Sequence, residues 1–421
     1  MHLEPDERAL LAGEMGTGTA LAMRLIVRAA EVLEADRLIP ITGAHVDSCL
    51  YHGQATLDFV DRLVDGGATV RVSTTLNVGS VDLLHPELWR GDPDLASRGR
   101  RLMDRYRALG CRPTFTCAPY QLADARPARG EQVAWGESNA IAFANSVLGA
   151  RTNRYGDFMD VAAAITGRVP NAGLHRSGER RARLVIRLGD DVPWRLLDED
   201  TLYPVLGLVV GRLAGGRVVA VDGLPPGIGE DRLKALGAAA ASSGSVALFH
   251  VVGSTPEAPT LTDALQGAAP EAEAVVSMDD LRQARTELGG EGGGPIVAVS
   301  LGTPHASTAE LAEVADLLAG RHAADGVELL VSTARDTLSE AEADGVAGRL
   351  REAGAELLVD TCSYISPILR APNGPVMTDS GKWAYYAPAN IGAQVVFGSR
   401  RECVESAIAG HVVRDATWGS A

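Results

Sequence analysis

The sequence predicts a multi-domain α/β protein whose parallel sheets carry helices on both faces. Two observations lead there. Its strand candidates are continuous β-branched runs, as buried parallel strands require, rather than the alternating pattern of half-exposed ones. Each run is followed by an Ala/Leu/Glu segment of helical period, so strands and helices alternate along the chain.

The alternation is clearest after Leu184. "SVALFHVVG" precedes "LTDALQGA", "EAVVSM" precedes "DDLRQARTEL", and "PIVAVSLGTP" precedes "TAELAEVADLLAGRH". "VELLVSTARD" leads into "TLSEAEADGVAGRLREAG"; "AELLVD" and "QVVFGS" with "RRECVESAIAGH" end the series. In the first half "RLIPITGAHV", "TVRVSTTLNVG" and "RPTFTCAPYQ" read as strands, with "GQATLDFVDRLVDGG" and "DLASRGRRLMDRYRALG" as helices between them. This divides the chain into an N-terminal α/β domain, 1–200, and a C-terminal region, 201–421. The flexible "GGEGGGP" marks a candidate split of the latter near 285–295.

A net charge of −15 with no basic patch argues against nucleic acid or an anionic membrane as partner. The N-terminus "MHLEPDERALLAGEM" is acidic, unlike a signal or transit peptide, and the most apolar run is broken by Arg212 and Arg217. A cytoplasmic protein is expected. Five scattered cysteines without a CxxC pair exclude a disulfide framework and zinc-finger spacing.

Ligands of open α/β sheets bind beyond the carboxyl ends of the strands. Three cysteines fall at that edge: Cys117 after "RPTFT", Cys362 after "LLVD", and Cys403 in the first turn of a helix. A helix N-terminus favours the thiolate, and three soft donors without paired His suit iron–sulfur chemistry better than zinc. Cys111, at the opposite edge, reads as a buried filler, and Cys49 is ambiguous.

Longer motifs carry a resemblance. "AHVDSCLYHG", "TTLNVGSVDL", "TCAPYQL", "WGESNAIAFANSVLGARTNRYGDF", "LFHVVGSTPEAPT", "VDTCSYISP", "MTDSGKWAYYAP" and "FGSRRECVESAIAG" resemble the aconitase X large subunit over nearly the whole chain. The resemblance implies an aconitase-like architecture lacking the swivel domain. It implies a hydro-lyase with an iron–sulfur cluster on Cys117, Cys362 and Cys403, and a small swivel-domain subunit as partner that supplies a Ser base. Members of the family resemble cis-3-hydroxy-L-proline dehydratase or mevalonate 5-phosphate dehydratase. The Arg-rich composition and the lack of a phosphate loop favour the first. Another hydroxy-acid dehydratase, or a cluster-binding regulatory protein, is the alternative.

Dehydration of a 3-hydroxy acid needs a carboxylate anchor, an enolate stabiliser, a base, and help for the departing hydroxide. Arg151 and Arg154, three apart, are candidate anchors. Glu137, Ser138, Asn139 and Asn145 lie in an otherwise apolar helix where polar groups need partners. His45 and Asp47 form a His–x–Asp pair suited to orienting a proton donor, and Asn77 stands at the adjacent strand end. Lys382 is one of two lysines among 39 basic residues, the other being Lys234 in an ordinary helical pattern. In a lineage that writes Arg almost everywhere, a Lys in "DSGKW" marks a site needing a compact ammonium. The catalytic set expected is therefore Lys382, His45, Asp47, Asn77, Glu137 and Ser138. Arg151, Arg154, Asn139, Asn145 and Ser380 are expected to hold substrate.

Overall fold

The computed structural model describes residues 1–418. Three parallel sheets follow one another along the chain. The first has the order Ser73–Leu76, Gly43–Val46, Val133–Trp135. It is packed between helices such as Gln54–Asp65, which buries Thr56, Leu57, Val60 and Leu63 at helical spacing. Pro93–Ala108 starts where Asp92 accepts the amide of Asp94, with Pro in the first turn. A short antiparallel pair, Leu38–Pro40 with Arg168–Pro170, ties the unit's ends together.

One expected strand is absent. "RPTFTCAPYQ" runs beside Ser73–Leu76 but makes a single isolated bridge, Thr75 with Arg112. The Thr114 hydroxyl takes over a rung of the ladder, accepting the Leu76 amide at 2.9 Å. Phe115 then turns with φ 41°, which ends the segment's run along Ser73–Leu76, while Val133–Trp135 pairs with Gly43–Val46 at the opposite edge of the sheet.

The second sheet has the order Phe249–Val251, Val219–Asp222, Leu184–Leu188, Ala272–Val276. The long apolar run forms the buried helix Leu202–Ala214 against Glu230–Gly244. The two approach so closely that a Cβ at Gly244 would lie 1.7 Å from the Gly211 carbonyl. The division expected at residue 200 would cut this sheet, because Leu184–Leu188 is one of its central strands. The change of unit falls before Leu184.

The third sheet has five strands in the order Ala355–Leu358, Glu328–Thr333, Ala298–Ala306, Pro375–Thr378, Gln394–Phe397, all parallel. Between the first and third units an apolar cluster of Val78, Leu330, Leu358, Tyr364 and Trp383 encloses Cys117 and Cys362. Trp383 is fully buried and donates its ring N–H to Ser363 Oγ at 2.9 Å. Among the described residues no helix is long and apolar enough to cross a membrane.

Candidate active site

The carboxyl ends of the first and third sheets face a cavity of about 620 Å3 whose lining includes Asp47, Asn77, Cys117, Glu137, Arg154 and Lys382. Cys117 sits in the loop that follows the Phe115 turn. Cys362 follows Asp360, which is held at φ 62°. Arg335 grips that carboxylate from two nitrogens at 2.5 Å, and Leu83 of the first unit donates its amide at 3.0 Å. The Cys362 loop is thereby fixed to both units.

Cys117, Cys362 and His305 bring their ligand atoms within 4.8 Å of one another, all buried. His305 is the penultimate residue of the strand Ala298–Ala306 and donates its amide to Cys117 Sγ at 3.2 Å; its Nδ1 meets the Thr116 hydroxyl at 3.0 Å. Burial pushes the Cys117 thiol up, but the Cys362 thiol together with His305 and Lys382 outweigh it and bring the value down to about 6. Cys362 moves the other way because of Cys117. One thiolate of the pair is thus present at neutral pH, and the group can hold a metal.

Cys403 is not part of this group. It is the fourth residue of helix Arg400–Ala409 and is buried among Leu311, Val314, Val404 and Ala407. Burial pushes its thiol well up, as for an apolar filler. His305, the residue directly after the strand run "PIVAVSLGTP", was missed by the sequence reading.

Lys382 occupies the first turn of helix Gly381–Ile391 and pairs with Glu137. Both are 5% exposed in their side chains. Burial opposes each charge, but the partner outweighs it, raising Lys382 and lowering Glu137, so the pair is ionic. Glu137 is the N-cap of Ser138–Ser146 and accepts the Ala140 amide at 2.7 Å. Ser138 donates to it at 3.2 Å. Asn139 is buried and engaged: it donates to Glu137 and to the Cys117 carbonyl at 2.9 Å, and accepts from Tyr120 Oη at 2.7 Å. It braces Glu137 and does not line the cavity.

His45 and Asp47 do not pair directly. His45 is fully buried, with Nδ1 2.8 Å from the Thr75 hydroxyl and its ring against Trp135. Burial pushes it down to about 4, partly countered by Glu137 and Asn77. Asn77 donates to Asp47. Burial first, and then Glu137 and Asp157, raise Asp47 to about 8. The loop is seated from below by Asp160, which accepts the amides of Asp47 at 2.6 Å and Ser48 at 3.2 Å.

Three other expectations are corrected. Arg151 bridges to Gln132 and donates to the His175 carbonyl and Ser177 Oγ, facing another hollow. The segment is not helical, so Arg151 and Arg154 share no face, and only Arg154 reaches the cavity. Asn145 is a clamp: it donates to the Thr152 and Ala247 carbonyls at 2.9 Å and accepts from the Thr152 amide and Arg180. Ser380 caps helix Gly381–Ile391, accepting the Trp383 amide at 3.0 Å and donating to the Thr303 carbonyl.

The aconitase X first domain matches residues 1–178, the second domain 182–286, and the third domain 296–409. The chain is 44% identical to the cis-3-hydroxy-L-proline dehydratase of Pseudomonas aeruginosa, over 97% of this chain and 70% of that one. It is 35% identical to the phosphomevalonate dehydratase large subunit of Methanosarcina mazei, over 97% of this chain and 98% of the other. The crystal structure of Thermococcus kodakaraensis aconitase X in its holo-form superposes with a TM-score of 0.85 at 33% identity, covering 97% of this chain and 100% of that one. Three successive units that each match an aconitase X domain in order, together with relatives of 35–44% identity over nearly the whole chain, place the chain in the aconitase X family.

Proposed function

We propose that the chain is the large catalytic part of a dehydratase converting cis-3-hydroxy-L-proline to Δ1-pyrroline-2-carboxylate. The observation that carries this is the 44% identity to a cis-3-hydroxy-L-proline dehydratase, against 35% to a phosphomevalonate dehydratase large subunit. The five unpaired cysteines support a reducing, cytoplasmic setting.

Cys117, Cys362 and His305 are proposed to hold an iron–sulfur group; two soft sulfurs and an imidazole in a closed pocket suit it. When bound it supplies Lewis acidity for the departing hydroxide. Arg154 grips the substrate carboxylate, and the Lys382 ammonium, held by Glu137, stabilises negative charge as the α-proton leaves. Asp47, protonated near neutrality and steadied by Asn77, gives its proton to the hydroxyl as the C–O bond breaks, so that water departs. The enamine product then tautomerises to the imine.

A small swivel-domain subunit is the proposed partner and source of the base. Support comes from relatives named large subunits that match over nearly their full length, and from longer cis-3-hydroxy-L-proline dehydratases of which this chain covers 70% and 69%. The test is anaerobic co-expression with a small-domain chain and assay on both substrates. Turnover of cis-3-hydroxy-L-proline by the pair, and little by this chain alone, is the expected result. Preference for mevalonate 5-phosphate would overturn the substrate.

The role of Asp47 has its own signature. Because it must be protonated to act, kcat should fall as pH rises through about 8. Asp47→Asn should lower kcat by ~10²- to 10⁴-fold, the usual contribution of a general acid. A flat profile from pH 6 to 9 in the wild type would remove Asp47 from that role.

A further inference from the structure

A second hollow, of about 290 Å3, lies where the first and second units meet and shares no lining residue with the catalytic cavity. It gathers Arg129 and Arg151, the turn residues Ser177 and Arg180, and His250 and Glu257 from the "LFHVVGSTPEAPT" motif that catalysis leaves unused. Its cations are not equally committed. Arg180 holds Glu257 through Nε at 2.8 and 3.0 Å and reaches Asn145 at 2.9 Å. The neighbouring Asp263 is occupied in the capping box of Thr260. Arg129 is exposed, and Arg151 spends its terminal nitrogens on the His175 carbonyl at 3.2 Å and Ser177 at 2.9 Å. The buried Arg151 Nε has no partner among the described residues.

His250 adds an orphan of the opposite kind. It is 1% exposed, and its Nε2 lies 2.8 Å from the Arg180 carbonyl. A carbonyl only accepts, so the ring hydrogen sits on Nε2. Burial disfavours the imidazolium, with Arg180 adding to that, against the Arg180 carbonyl and Glu257; the net direction is down. The other nitrogen, Nδ1, is therefore a bare lone pair, buried and without a partner among the described residues. Buried polar atoms in folded proteins are almost always paired. A ligand that satisfied this hollow would have to accept from guanidinium and donate to His250 at once.

We propose that the hollow binds a small oxyanion that itself carries a proton or hydroxyl, such as hydrogen phosphate or an α-hydroxy carboxylate. Sulfate and acetate carry the charge but, near neutral pH, offer no donor to Nδ1. Charge and size alone would treat phosphate and sulfate alike; the His250 tautomer separates them.

Calorimetric titration of the full-length protein with inorganic phosphate, sulfate and glycolate at neutral pH tests this. Phosphate or glycolate should bind saturably and ~10-fold or more tighter than sulfate, the scale of one hydrogen bond to a charged group. Competition between phosphate and glycolate decides which source the site favours. Arg129→Gln, an exposed change, should weaken that binding by ~10-fold, with melting temperature and dehydratase rate unchanged. Sulfate binding as tightly as phosphate, no saturable binding of either donor-bearing ion, or undiminished binding by Arg129→Gln would each overturn the site.

Discussion

Replacing Lys382 with Met will cost the fold about 3–5 kcal/mol, because it leaves Glu137 as a buried carboxylate without its cation. The same change should lower kcat/KM by at least ~10²-fold, equivalent to roughly 2.7 kcal/mol of transition-state stabilisation. The two effects separate with a second substitution. In Lys382→Met/Glu137→Gln the buried charge is gone, and Gln can still accept the Ala140 amide that Glu137 caps at 2.7 Å. Stability should largely return and activity should not. Lys382→Arg supplies the third arm. Its fork keeps a positive charge near Glu137, but it is larger than an ammonium in a pocket closed by Tyr364 and Cys117. Folding should be milder in loss, and kcat/KM nearly as low as for Met. Denaturant unfolding, iron content and steady-state kinetics on the same preparations read all three arms. A Lys382→Arg enzyme that turns over at the wild-type rate would reduce the lysine to a structural counter-ion.

Lysine scarcity was read as a signal at only one of the two residues. Lys234 also lies buried, held by Asp231 at 2.9 Å and by Glu310. Its helical pattern hid this, since period alone does not tell which exposed-looking position another unit will cover. Both surviving lysines serve buried carboxylates. The alternation of strands and helices was legible for the reasons that make it form: parallel strands buried on two faces must be apolar throughout. What failed was local. "RPTFT" has strand composition, but Pro113 offers no amide and Thr114 bonds with its side chain, so the segment keeps one isolated bridge to Ser73–Leu76 instead of a ladder. Arg151 and Arg154 were paired as anchors for standing three apart, a spacing that brings side chains together on a helix, whereas the segment is extended and turning. The Asn residues of "ESNAIAFANS" were rightly expected to need partners, yet those partners are carbonyls and side chains of the protein itself. His305 was illegible because its convergence with Cys117 spans 188 positions and is made only by the packing of the third sheet against the first.

The cysteines provide the sharpest contrast between edge and geometry. Cys117→Ser and Cys362→Ser should each abolish retained iron, since the two thiols face one another and one is poised as thiolate at a value near 6. Cys403→Ser should keep the iron. Being at the right edge of the sheet does not suffice, because a helix turns about 100° per residue and only some of its first-turn side chains face the site. Cys403 instead faces Leu311 and Val314 of the helix Thr308–Leu318. A serine there buries a hydroxyl, but it can bond the Ser399 carbonyl, which already takes the Cys403 amide at 2.8 Å. The cost should therefore stay near ~1 kcal/mol, the low end for a buried polar group. His305→Gln completes the set: it retains bulk and some hydrogen bonding to Thr116, yet removes the imidazole, and iron should be lost or held weakly. Iron content and visible absorption after anaerobic reconstitution decide the matter without reference to turnover. If Cys403→Ser loses its iron while His305→Gln keeps it, the third donor is the cysteine, and the helix Arg400–Ala409 must rotate toward the cavity when the group is bound.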